Sequence, residues 1–140
     1  MLFTWEGKGK TETETETLDP EKPLLVAPTT VPYLKQNWTQ LMKGETLSAR
    51  FAVLDRRETV GFKFFKVSAE DSGQPFRPDR VVIRMKPTSL IISALVKPLH
   101  FVFDSQGVHL LELEGRLPPK RKKGDQWKDW DYHAIYQYAP

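Results

Sequence analysis

Three histidines, His100, His109 and His133, are the side chains best suited to acid–base or metal chemistry, and each falls in a stretch patterned like a β-strand. No two have the spacing that sets a pair of imidazoles on one helix face. His109, Glu112 and Glu114 are close in sequence, but His109 and Glu112 have opposite parity along a strand and should point to opposite sides of a sheet. No metal site is expected from them. No serine stands in a Gly-x-Ser-x-Gly turn, and Gly7-Lys8-Gly9-Lys10 lacks the spacing of a phosphate loop. The sequence has no cysteine, which removes thiol catalysis, zinc–thiolate sites and iron–sulfur clusters. Asn37-Trp38-Thr39 matches a glycosylation acceptor but falls inside a helical pattern. These residues predict a non-enzymatic protein with no catalytic residue and no cofactor.

Binding chemistry is better represented. Between Arg116 and Lys128 stand six cations (Arg116, Lys120, Arg121, Lys122, Lys123 and Lys128) and one anion, Asp125, so this segment carries +5 in a chain whose total is +3. Trp127, Trp130 and Tyr132 lie in or just beyond it. Cations beside aromatics suit anionic lipid head groups or nucleic-acid backbones and bases, with Lys120, Arg121, Lys122 and Lys123 as the anion-binding set. A solvated hairpin tip is the alternative. Nucleic acid is the less favoured partner, because it requires a cytosolic location and a steep loss of affinity with salt. A second candidate is apolar. A curved sheet closed by a helix can hold an acyl chain or other apolar ligand, and Trp38, Met42, Phe51, Phe62, Phe64 and Phe101 would line that cavity. The competing reading is that these side chains pack against one another. A protein-interaction module without a small ligand, engaging an envelope protein, is the further alternative.

The elements that must position these groups follow from periodicity. With 140 residues, 39% of them hydrophobic, the chain can bury a core without disulfides. A single domain is expected over 1–140, with 1–23 an edge hairpin or mobile arm and 24–140 the core. Thr11 to Thr17 alternates threonine and glutamate, the period of a strand with no apolar face. Val31, Leu34, Trp38, Leu41 and Met42 mark a helix that Gly44 stops. Leu47 to Val53, then Val60 to Val67, read as a hairpin, with a bulge or a sharply coiled strand where Phe65 and Val67 change parity. Val81, Ile83 and Met85 face inwards from a further strand. Leu90 to Val96, opened by Pro87-Thr88-Ser89, predicts a short apolar helix, either buried over a sheet end or forming an exposed apolar lip around a cavity. This run is far short of the roughly 20 residues that cross a bilayer. Asp104 to Gly107 joins two strands, 115–126 reads as a basic loop, and 131–138 as the last strand. The connections look too short for parallel crossovers. The fold class is therefore α+β, mainly antiparallel β: a curved sheet or partial barrel packed on one amphipathic helix plus one short apolar helix.

Several runs together resemble a family of uncharacterised exported proteins of Gram-negative bacteria. These are Val31-Pro32-Tyr33-Leu34 to Trp38, Leu41-Met42-Lys43-Gly44-Glu45, Phe51, Arg56-Arg57, Gly61-Phe62, Met85-Lys86-Pro87-Thr88-Ser89 and Pro98-Leu99-His100-Phe101-Val102-Phe103-Asp104. The resemblance spans roughly Leu24 to Tyr138 and brings no functional residues with it. It implies a periplasmic or outer-membrane-associated location, with an upstream signal peptide and further N-terminal strands. By fold analogy it implies similarity to the half-barrels of lipoprotein carriers. The opening residues, with Trp5, Glu6 and Gly7, lack the apolar stretch of a leader, so a cytoplasmic location is the alternative.

Overall fold

A computed structural model describes residues 2–7, 9–15, 17–54, 56–73 and 77–139. Strands β1 (Leu2–Gly7) and β2 (Lys10–Thr15) form a hairpin of their own, with Trp5 opposite Glu12 and Gly7 opposite Lys10. Its two strands form a sheet separate in hydrogen bonding from the main one. The threonine–glutamate alternation thus belongs to a paired strand, and Glu16 lies outside the described residues.

The main sheet has seven strands: β3 (Leu24–Leu25), β4 (Leu47–Val53), β5 (Glu58–Val67), β6 (Arg80–Pro87), β7 (Leu99–Asp104), β8 (Leu110–Lys123) and β9 (Gln126–Ile135). They lie in sequence order and curl into a half-barrel. From β4 to β9 every neighbour is antiparallel, whereas β3 runs parallel to β4. The expectation of no parallel crossover fails here. Residues 26–46 are long enough to carry a helical return from β3 to β4, which a parallel pair requires.

That return is α1 (Ala27–Gln36) followed by α2 (Trp38–Met42). The helix begins four residues before the expected Val31. Pro28 sits in its first turn, where no N–H is needed, and the Thr29 hydroxyl accepts the Val26 N–H at 3.0 Å. It breaks at Asn37, whose side-chain amide donates to the Tyr33 carbonyl at 2.9 Å. The break turns Trp38 towards the sheet end. There its indole meets Phe103 edge-on, with ring centroids 5.2 Å apart. It also occupies the space that a Cβ on Gly107 would need, so the β7–β8 turn requires glycine both for this approach and for its φ of +72°.

Strand alternation delivers one continuous apolar face to the helices: Leu47 and Ala49, Phe64, Ile83 and Met85, Phe101 and Phe103, and Leu110 are buried together with Leu34 and Leu41. Tyr33 meets Phe64 at 5.9 Å, and Phe51 meets Phe62 at the same separation. No bulge is needed at Phe65. Strand β5 keeps its register with β6 from Phe62 to Val67, and Phe65 and Val67 point to the other side of the sheet. The bulge lies instead between β7 and β8, where Val102 pairs with Glu112 but Phe103 with Leu110, so that Leu110 and Leu113 both reach the core face.

Truncation of a wholly enclosed core ring should leave a cavity that the helix pair cannot fill. Phe64→Ala is expected to lower the stability measured by equilibrium urea unfolding by about 3–5 kcal/mol, while Leu90→Ala, at an 86% exposed position, shifts it by less than about 0.5 kcal/mol.

Candidate functional site

The antiparallel meander sorts its connections between two ends of the sheet. The turn after Val53, the β6–β7 connection (88–98) and the β8–β9 turn at Gly124 share one end. The β5–β6 connection (68–79) and the β7–β8 turn share the other.

At the first end the basic segment is a ribbon and not a loop. Strand β8 continues to Lys123, fourteen residues in all, and pairs with β9 out to Lys123 opposite Gln126. Pro118 and Pro119, which suggested a loop, fall in the register shift between Arg116 and Lys120, where no ladder bond is required of them. The last strand correspondingly starts at Gln126, five residues before the expected Asp131, and ends at Ile135. Among the described residues, strand β8 beyond Arg116 pairs with β9 alone. The two strands therefore project past the sheet as an arm of roughly 25 Å, at about 3.3 Å per residue.

Pairing fixes what each face of this arm carries. Lys120, Lys122 and Trp127 share one face with Asp129. Arg121, Lys123, Lys128 and Trp130 share the other, where the Arg121 guanidinium lies 4.3 Å from the Trp130 ring centroid and Trp130 stacks on Tyr132 at 5.0 Å. Trp127 is 66% exposed and Trp130 41%. The return strand tempers the charge. Asp129 and Asp131 bind Arg116 at 3.7 and 3.2 Å, and Lys97 reaches Asp131 at 3.8 Å. Those pairs lie at the base, and by sequence the outer segment 120–128 holds five lysines and arginines against one aspartate. The four residues read as one anion-binding set, Lys120, Arg121, Lys122 and Lys123, are thus divided in pairs between the two faces.

The apolar set is brought together, but as core. Trp38, Met42, Phe51 and Phe62 are partly buried against the cluster, Phe64 has no exposed surface, and Phe101 is buried. The concave face where a ligand was expected is occupied by α1 and α2.

The opposite face of the sheet holds a polar network that sequence parity did not single out. Arg80 and His133 both bond Glu112, the latter through Nε2 at 2.8 Å. Register sets His100, Glu114 and His133 side by side across β7, β8 and β9. Arg84 Nε donates to His100 Nε2 at 2.9 Å, which requires that nitrogen to be unprotonated. Burial lowers the His100 pKa from its ordinary value, the Arg84 charge lowers it further, and Glu114 opposes them. Beside this network runs a groove of about 970 Å³ lined by Lys66, Val67, Arg77, Val82, Val102 and Ile135, among others. His109 is elsewhere, bonded through Nδ1 to Asp104 at 2.8 Å. Burial pushes the Asp104 carboxyl up, but the Val108 N–H, the His109 ring and the His109 N–H outweigh it and hold the pKa below its usual value. No cluster of three potential metal ligands occurs among the described residues.

Comparison with family models, curated proteins and solved structures finds no match. The functional reading rests on geometry.

Folded His100 takes up a proton less readily than the unfolded residue, so its share of stability is complete above the ordinary histidine pKa of about 6.5 and is lost as pH falls through the lowered folded value. Urea midpoints of the parent should therefore drop between pH 7 and 5, and His100→Gln should drop less over the same interval. An equal drop would remove His100 as the source.

Proposed function

We propose that the protein is a non-catalytic binding module that docks on an anionic lipid surface through the β8–β9 ribbon. One observation carries this: the arm presents cations and an exposed indole on each of its two faces and, beyond Arg116, its β8 strand pairs with β9 alone among the described strands. Guanidinium and ammonium groups seek phosphate, while indoles favour the boundary between head groups and acyl chains. Such a two-sided tip is able to settle into a head-group layer, where a flat protein partner would engage one face. An envelope location fits the same chemistry. An apolar ligand on the concave sheet is less well supported, because Trp38, Phe64 and Phe101 already pack with the helices and with each other.

Sedimentation with vesicles of phosphatidylglycerol and phosphatidylcholine tests the reading. Binding should weaken steeply with salt. Each cation near an anionic surface contributes about 1 kcal/mol, so replacing Lys120, Arg121, Lys122 and Lys123 together by alanine should cost roughly a hundredfold or more in affinity. Alanine at Lys66 and Arg77, towards the other end of the sheet, should leave it unchanged. Equal binding by the quadruple variant, or a preference for an oligonucleotide over the vesicles, would refute the lipid assignment.

A further inference from the structure

We infer that α4 (Leu90–Leu95), the short helix in the β6–β7 connection, is a bilayer-insertion element that works beside the ribbon; this deepens the proposed lipid docking and rests on it. The helix exposes Leu90 at 86%, Ile91 at 77% and Leu95 at 76%, and none of its six residues is buried. Leu90, Ile91, Ala94 and Leu95 fall within one outward stripe, while Ile92 and Ser93 are half-buried towards the protein. Such a patch on an otherwise well-packed domain marks an interaction surface.

Its posture is fixed rather than frayed. The Ser89 hydroxyl caps the helix by accepting the Ile92 N–H at 3.4 Å. Just before it, the Thr88 N–H and hydroxyl both bond the Gly61 carbonyl, at 2.9 and 3.1 Å. Any Cβ on Gly61 would strike that hydroxyl, so the glycine lets the connection clamp onto β5. The outward stripe stays exposed, so the core gains nothing from it.

What covers the stripe is indicated by its surroundings. Helix α4 sits at the same end of the sheet as the ribbon, and Lys97 at its exit reaches Asp131 at the ribbon base. Residues 88–98 and 116–131 together hold seven lysines and arginines against three aspartates, a net +4 that exceeds the whole chain's +3. An apolar stripe at the same end of the sheet as this cationic excess matches an acyl interior beneath anionic head groups. It does not match a second copy, which would bring the same positive charge against itself. A single weak apolar anchor holds a protein to a membrane only marginally, whereas an apolar anchor with a polybasic patch holds it stably.

The cysteine-free sequence makes the test clean. Ile91→Cys carries a polarity-sensitive fluorophore and is mixed with phosphatidylglycerol-containing vesicles. The label should shift to the blue and be quenched by spin-labelled lipids. Leu90→Ser with Leu95→Ser should lower partitioning at least about tenfold and release bound protein in high salt, while circular dichroism shows the fold intact. Protein that sediments with vesicles while the label stays aqueous would overturn the insertion and leave ribbon docking standing. Absence of any vesicle binding would overturn both. A blue shift that grows with protein concentration in the absence of lipid would assign the stripe to a second copy and overturn the inference.

Discussion

Everything else in this structure depends on the helix pair α1–α2 filling the hollow of the curled sheet. A sheet of this curvature offers one apolar face, and it is stable only if another layer removes that face from water. Leu34 and Leu41 do so from the helices, meeting Phe64, Ile83 and Phe103 from the central strands, all five wholly enclosed. The parallel β3–β4 pair exists because that cover must begin and end on the same sheet edge. The helix breaks at Asn37, and just beyond the break Trp38 packs on Phe103. The same cover consumes the concave surface, so a binding function has to be sought at the sheet's ends or on its outer face.

The meander then concentrates recognition chemistry at one end. The odd connections of an antiparallel sheet all emerge on one side, and here they include the apolar α4 and the β8–β9 arm. The opposite end is closed by Trp38 over Gly107 and by the Asp104 carboxylate gathering the Val108 and His109 amides. One end is thus tied down internally, and the other presents side chains that the fold does not use. The outer face belongs to neither. Its Arg80–Glu112–His133 and Arg84–His100 groups bond one another, although the buried Arg80 Nε has no hydrogen-bond partner, and Val82 and Val102 are buried on the same face.

Much of this was legible in the sequence where a single period ran uninterrupted. Leu47 to Val53 and Val81 to Met85 alternate cleanly, and the structure places their apolar residues on the core face. Legibility failed where two signals competed. Pro118 and Pro119 read as a loop because proline cannot donate to a ladder, yet a register shift between Arg116 and Lys120 absorbs both, and the strand continues. Counting charge over 116–128 alone missed Asp129 and Asp131, which only pairing brings back against Arg116. The Leu90–Val96 run is apolar all round, so periodicity could not say whether it was buried or exposed; the structure leaves Leu90, Ile91 and Leu95 exposed. The outer-face network escaped notice because His100, Glu114 and His133 become neighbours only through the register of three strands.

The central claim is that a single end of the sheet meets the partner surface. Amide hydrogen exchange, compared between free protein and protein bound to anionic vesicles, tests it most directly. The account predicts slowed exchange in 88–98 and in 116–131, with 68–79 and the Ser105–His109 turn unchanged. Protection at that opposite end, or over α1 and α2 on the concave face, would contradict it.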